Sequence, residues 1–324
     1  MVTRSFKIAW RYKYLWLLAL FSGEAGGSLN FGQGPSTTPR STGNPRDILY
    51  FHAFSQAEID WVTSHIALLV AGALVSVVLW ILFFVLAAVC EGAVVRGAAE
   101  HDADRPFGLR IAWRCGLATM GTILRLRLLI IALAFPAVIV LTALAAGFVW
   151  ALATGNFGAA IGLGLLGLLV FLAVIPYALY LTFLGHLGTR AAVLDQLPAA
   201  RAALARAHHL LRKRLGRVLL VWLVTFVIGF VVEICLLIPT TLVILPVALI
   251  GFATYSSGGP AFWVLMTFAL LILLPVFVVI AAFMAAQVST YWTLAYRRLE
   301  IDQVPAYAYA YSPQPAAPPA APST

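Results

Sequence analysis

The sequence predicts an all-α integral membrane protein, a polytopic helical bundle of about six transmembrane helices with amphipathic helices at the cytoplasmic interface. Of its 324 residues, 62% are hydrophobic and only 10% are charged, whereas a soluble domain carries about 25% charged residues. The mean hydropathy is +0.97. Five apolar stretches exceed the roughly 20 residues that a spanning helix needs. Helices are expected because lipid offers the backbone no other hydrogen-bond partner.

The N-terminal segment places four cations ahead of a short apolar run at residues 14–21. As a helix this run is about 12 Å long, and the hydrocarbon core of a bilayer is about 30 Å thick. It either crosses as a short, distorted helix, lies at the interface, or forms the core of a signal peptide that is cleaved. We favour the crossing, which brings the total to six and leaves residues 22–60 as an extracytoplasmic loop.

The five long apolar stretches account for the remaining spans. Only Gly155 and Asn156 separate the second stretch from the third, so these two are predicted to form a hairpin. The fourth is too long for one upright helix, and Pro239 and Pro246 predict a break near its outer end. The stretches are residues 66–90, 128–154, 157–186, 218–251 and 262–296.

Segments rich in lysine and arginine alternate with the predicted spans along the chain. All but two of the 21 lysines and arginines lie in residues 1–21, 91–127 and 187–217 or directly after the last span. Cytoplasmic loops carry the excess of Lys and Arg, so these segments and both termini are predicted to be cytoplasmic. Residues 1–302 then form a single transmembrane domain. The Pro/Ala/Tyr-rich residues 303–324 are predicted to be a disordered cytoplasmic tail that offers a site for a protein partner.

Residues 106–127 and 197–217 are predicted to be cytoplasmic interfacial helices. In the second segment, apolar residues recur at spacings of three and four, which places them in one stripe of a helix. Such a helix lies flat on a membrane, with its stripe in the acyl boundary and its cations among phosphate groups. We therefore expect anionic membrane lipids as partners; alternatively, the cations only fix the orientation of the chain. The candidate headgroup-binding residues are Arg206, His209, Arg212, Lys213, Arg214 and Arg217.

Glu233 is the one acidic residue well inside a predicted span. His65, at the outer start of the first long span, is its nearest polar partner by depth. An intramembrane carboxylate is costly and marks a functional site by default. The pair is a candidate for a proton-linked role; the alternative, which we favour, is that Glu233 is a protonated or hydrogen-bonded group that locks helix packing.

Motifs for catalysis and metal binding are missing from the sequence. Cys90, Cys115 and Cys235 lie far apart and predict neither a disulfide framework nor a zinc site. There is no P-loop, no nucleophile elbow and no HExxH motif, so we expect no enzymatic activity, no cofactor and no metal. The net charge of +9 does not indicate a nucleic-acid partner, because the cations flank apolar spans.

Three stretches carry a resemblance to a family of bacterial polytopic membrane proteins of uncharacterised function. They are the basic start SFKIAWRYKYLWLLALF, the block RAAVLDQLPAARAALARAHHLLRKRLGRVLLVWLV and the end of the last span, STYWTLAYRRLE. That family is similar to the membrane domain attached to some glycerophosphoryl diester phosphodiesterases. The resemblance covers roughly residues 5–302 and implies a bundle in the bacterial cytoplasmic membrane. We expect no phosphodiesterase barrel, which needs about 250 residues, and no catalytic residue carries over.

The sequence thus predicts a non-enzymatic multi-pass protein that organises the membrane or interacts with its lipids. The alternative is a small transporter or permease-like protein that uses Glu233. A transport path needs polar lining, and polar residues are few in the spans away from their inner ends. This scarcity favours the first function.

Overall fold

A computed structural model describes residues 1–22, 56–255 and 261–301. Every element in these residues is an α-helix. The helices are α1 (Val2–Arg11), α2 (Tyr14–Phe21), α3 (Gln56–Ser64), α4 (Ile66–Asp102), α5 (Leu109–Ala153), α6 (Phe157–Leu194), α7 (Ala200–Tyr255) and α8 (Ala261–Ile301).

The long helices confirm the all-α fold class. Five of the described helices are long and apolar enough to cross a membrane, and they coincide with the five apolar stretches of the sequence. The described residues contain no sixth helix of this kind. The five candidate spans are Ile66–Asp102, Leu109–Ala153, Phe157–Leu194, Ala200–Cys235 and Leu273–Glu300.

The helix ends that carry the arginines meet at one end of the bundle, which we call the basic end. Arg297, near the end of α8, lies 2.8 Å from the carboxylate of Asp102, the last residue of α4. Arg4 of α1 lies 2.7 Å from the same carboxylate. Tyr296 of α8 donates a 2.8 Å hydrogen bond to Asp195, which follows α6. Three helices and the N-terminal segment are therefore tied together at this end.

The packed core lies in the basic half of the bundle. Its largest fully buried side chains include Trp292, Arg190 and Tyr296. The opposite half, towards the turn between α5 and α6, is largely exposed; Trp80 is 65% exposed and Leu169 is 66% exposed. Apolar surface of this extent needs lipid or another apolar partner. The exposed half is thus the part of the bundle suited to the bilayer interior.

Helix α2 adds no crossing within the described residues. Its buried face packs against α4 and α8 near the basic end. The carbonyl of Ser22, which follows α2, accepts a 2.6 Å hydrogen bond from Arg127. Ser22 and Arg127 therefore lie at the same level of the bundle. The predicted crossing at residues 14–21 is not confirmed.

Two of the predicted segments fall largely outside the described residues. Of the loop at residues 22–60, the structure describes only Ser22 and the start of α3. The tail at residues 303–324 lies outside the described residues altogether.

Residues 106–127 do not form a separate interfacial helix. Helix α5 begins at Leu109 and continues to Ala153, so the predicted amphipathic segment is the first part of a spanning helix. Pro136 lies inside α5 without ending it, as membrane helices allow.

Helix α7 is interrupted at Arg214, and not at the prolines where the sequence predicts a break. Arg214 has a φ of −137° and a ψ of 34°, which lie outside the helical region. The helix then continues through residues 239 and 246 to Tyr255. The kink at Arg214 separates a first part of α7 at the basic end from the apolar span that follows it.

A substitution at Gly116 of α5 tests whether α4 and α5 are in close contact. A Cβ atom at this position would lie 2.3 Å from the carbonyl oxygen of Val89 in α4. We expect Gly116→Ala to push the helices apart and to lower the free energy of unfolding by about 1–3 kcal/mol, measured by thermal unfolding in detergent micelles. Gly121→Ala is the matched control on the same helix, because its added methyl group meets no atom within 4 Å. Equal effects of the two substitutions would contradict the close contact.

Candidate functional site

The first part of α7, from Ala200 to the kink at Arg214, packs its apolar stripe into the protein. Ala207 and Leu211 of this stripe are buried in the same cluster as Trp292 of α8. The expectation that this stripe lies in the acyl boundary is wrong for these residues, because α6 and α8 already cover them. The stripe makes the first part of α7 a fixed element of the basic end and turns its opposite face outward.

Arg206 is a structural tie within the basic end. Its Nη2 lies 3.2 Å from Glu300 of α8, and its Nε lies 3.7 Å from Asp195 after α6. Asp195 also accepts the hydrogen bond from Tyr296. The structure therefore commits Arg206 to carboxylates of the protein itself, which sets it apart from Arg212 and Lys213.

The other candidates lie on the outward face of α7 or at its kink. His209, Arg212, Lys213 and Arg217 are exposed, and Arg214 is half-buried at the kink. Within the described part of the chain, no carboxylate forms an ion pair with Arg212 or Lys213. These two adjacent cations therefore present uncompensated positive charge from a helix whose other face is anchored.

Glu233 and His65 are not brought together. Both are exposed, and among the described residues neither an ion pair nor a hydrogen bond joins them. His65 instead lies 2.9 Å from the carbonyl oxygen of Trp61 and stacks on the Trp61 ring at 4.8 Å. The proton-linked pair predicted from the sequence therefore has no counterpart in the described contacts.

An ion pair that is not predicted from the sequence joins α4 to α5. Arg127 Nε lies 3.1 Å from Glu91 Oε2, and only 8% of the Glu91 side chain is exposed. The same guanidinium holds the Ser22 carbonyl and lies 5.8 Å from the centre of the Phe84 ring. A signal for this pair is present in the sequence, since Glu91 and Arg127 each stand beside the inner end of an apolar stretch. Helices α4 and α5 are antiparallel and are connected at that end, so Glu91 and Arg127 come to lie side by side.

A second arginine, Arg190, is fully buried between α6 and α8. It donates hydrogen bonds to the His186 carbonyl at 3.1 Å and to Ser289 Oγ at 3.4 Å. His186 stacks on Trp292 at 4.8 Å. The sequence places Arg190 among the loop cations, but its contacts make it part of the core.

The junction between α1 and α2 is fixed by an aromatic group around His101. Tyr12 stacks on the His101 ring at 3.5 Å, and Tyr14 Oη lies 2.6 Å from its Nε2. Burial raises the pKa of the Tyr14 phenol, so this hydroxyl keeps its proton at neutral pH. His101 and its neighbours thus form a packing contact, and the described residues hold no group of three metal-ligating side chains.

The fold and the outward cations define a class: a helical multi-pass membrane protein with a fixed basic end. Residues 2–296 match the family of unknown function DUF7544, and the chain belongs to this family. No curated protein and no solved structure matches the chain. Family membership adds no activity to this description, and the resemblance to the membrane domain of phosphodiesterases stays a prediction.

Arg127→Met tests the ion pair between Arg127 and Glu91. The substitution leaves the carboxylate of Glu91 poorly exposed and unpaired, so we expect the free energy of unfolding to fall by about 3 kcal/mol. Arg125→Met is the matched control, since Arg125 is exposed two residues earlier on the same helix; it should change stability by no more than about 0.5 kcal/mol. Denaturation in detergent micelles measures both variants. A similar loss in both would show that the pair does not stabilise the inner ends of α4 and α5.

Proposed function

We propose that this chain is a non-enzymatic, lipid-interacting membrane protein that gathers anionic lipids around its basic end. The observation that carries the proposal is the pair of exposed cations, Arg212 and Lys213, on the outward face of an anchored helix. A Lys or Arg close to an anionic membrane surface contributes about 1 kcal/mol of attraction. Because the helix is already fixed by its buried stripe, little order is lost when the lipid binds.

The surroundings of these cations support contact with lipid. Leu215, just beyond the kink, is 53% exposed, and the exposed apolar face of the span begins there. A charged surface that passes directly into an apolar one matches the arrangement of a phospholipid, in which a phosphate group lies above acyl chains.

The proposal includes an orientation. The basic end gathers arginines from the last part of α4, the first part of α5 and the last part of α8, and cytoplasmic loops carry the excess of Lys and Arg. We infer that the basic end faces the cytoplasm of a bacterial cell and that both termini lie inside. Anionic lipids of the inner leaflet are then the partners within reach of α7.

Transport through Glu233 receives less support from the described contacts. Glu233 is exposed on α7 and has no ion-pair partner among the described residues. If the protein interacts with lipids as proposed, Glu233 does not contact the headgroup. Glu233→Gln should then leave lipid retention unchanged. A proton-coupled transporter would instead lose uptake in this variant.

Arg212→Glu/Lys213→Glu tests the proposed function. Native mass spectrometry of the purified protein counts the phosphatidylglycerol molecules that it retains relative to phosphatidylcholine. Reversal of two cations, each contributing about 1 kcal/mol, should reduce phosphatidylglycerol retention at least about tenfold. The control, Arg110→Glu/Arg114→Glu, changes the net charge equally at exposed positions of α5. No preference for phosphatidylglycerol in the wild type, or no loss in Arg212→Glu/Lys213→Glu, would contradict the proposal. Equal losses in both variants would overturn the assignment of the lipid contact to α7.

A further inference from the structure

A groove with three basic side chains lies between α1 and the end of α4, and we call it the α1–α4 groove. Arg4, Lys7 and Arg11 line it from α1. His101, in the last turn of α4, and Asp104, just after α4, line it from the other side. Its volume is about 430 Å³, within the range of about 300–1,000 Å³ that is typical of small-molecule sites.

Helix α1 holds its three basic residues on one face, because their spacings are three and four. Its other face is anchored in the protein. Ile8 and Ala9 are buried in the same cluster as Ala286 of α8, and Gln287 of α8 donates a 3.3 Å hydrogen bond to the buried hydroxyl of Ser5. The basic face is therefore fixed before any ligand binds, so little order is lost on binding.

The charges of the α1–α4 groove do not balance. Arg4 is committed to Asp102, whose carboxylate lies 2.7 Å from its Nε. Asp104 is the one acidic side chain among the described residues that line the groove, and it lies 3.9 Å from Arg4. Within the described part of the chain, no carboxylate forms an ion pair with Lys7 or Arg11. These two cations, one helical turn apart, therefore repel each other and offer their charge to a ligand.

A phosphate monoester complements this pair of cations. It carries a charge of about −1.5 to −2 at pH 7 and three acceptor oxygens, so it can accept hydrogen bonds from Lys7 and Arg11 together and neutralise both. A phosphate diester has one ionisable group fewer and would leave one cation without a counter-charge. The guanidinium group of Arg11 lies 5.7 Å from the centre of the Tyr12 ring, which favours one position of this side chain before the ligand binds.

The surroundings of the groove admit both a lipid and a soluble compound as the source of the phosphate. Trp10, three residues after Lys7, is 66% exposed, and its ring lies 5.9 Å from that of Trp16. Tryptophan is enriched where a protein meets the membrane surface, so a lipid headgroup lies within reach of α1. A soluble phosphate monoester offers the same group from the solvent. The chemistry that the groove recognises is the same in both cases.

We propose that the α1–α4 groove binds a phosphate monoester through Lys7 and Arg11, carried either by a membrane lipid or by a soluble compound. The site does not use the cations of α7. The inference therefore goes beyond the proposed function and can fail independently of it.

Isothermal titration calorimetry with glycerol 1-phosphate tests the site in the whole chain, purified in an uncharged detergent. Lys7→Gln/Arg11→Gln removes two charge-assisted contacts and should weaken binding at least about tenfold. Arg110→Gln/Arg114→Gln is the matched control, because these exposed arginines are also one helical turn apart but do not line the groove; binding should stay within about twofold. Lys7→Arg/Arg11→Lys keeps both charges and should retain binding.

Native mass spectrometry with phosphatidic acid tests the lipid as the source. The measurement uses the Arg212→Glu/Lys213→Glu background, which removes the lipid contact proposed for α7, so that the phosphatidic acid still retained reports on the groove. Adding Lys7→Gln/Arg11→Gln to this background should reduce retention at least about tenfold.

The two measurements distinguish the sources, and their joint failure overturns the site. Binding of glycerol 1-phosphate that depends on Lys7 and Arg11 would show that the phosphate group alone is sufficient. Dependence in the lipid measurement only would show that the groove takes a lipid headgroup. No dependence in either measurement, or equal losses in the Arg110→Gln/Arg114→Gln control, would overturn the proposal. Binding of diglycerol phosphate as tight as that of glycerol 1-phosphate would overturn the choice of a monoester.

Discussion

The pairing of arginines with carboxylates at the basic end is the constraint on which the rest of the structure depends. The chain carries a net charge of +9, and many of its cations lie at the basic end, where like charges repel. Arg127 with Glu91, Arg206 with Glu300, and Arg297 with Asp102 offset this repulsion. Each pair joins two different helices, so the pairs also determine which helix ends are neighbours.

These pairs differ in energy because they differ in exposure. An exposed pair contributes about 0–1 kcal/mol, and Arg206 with Glu300, each about one-third exposed, is closer to that limit. Glu91 is nearly buried, so removal of its partner costs several kcal/mol. The deeper pair therefore holds α4, α5 and the end of α2 together, whereas the outer pairs align α7 and α8 over them. Cations without such a partner remain available to lipid.

The sequence predicted the spans well and the contacts between them poorly. Hydropathy alone locates the five long helices, because the backbone in lipid has only helical solutions. It does not find the pairs, whose members are 36 residues apart for Glu91 and Arg127 and 195 residues apart for Asp102 and Arg297. The spacing of apolar residues also identifies the apolar stripe within residues 197–217. It does not show whether that stripe packs against lipid or against other helices of the protein. Ala203 and Ala207 face α6 and α8 because small residues allow close helix contact.

Helix α7 passes through two environments, one on each side of the kink at Arg214. Before it, the helix is held by its buried stripe and by Arg206; after it, Leu219 and Leu220 lie on an exposed apolar face. Val218 and Val221 after the kink are nevertheless buried in the same cluster as Ala207 and Leu211 before it, so the buried stripe continues past Arg214. A single non-helical residue changes the axis between the two parts of α7 at small cost. A groove of about 540 Å³ lies between α7 and α8 directly after the kink, and Gly216 leaves part of it unfilled because glycine has no side chain.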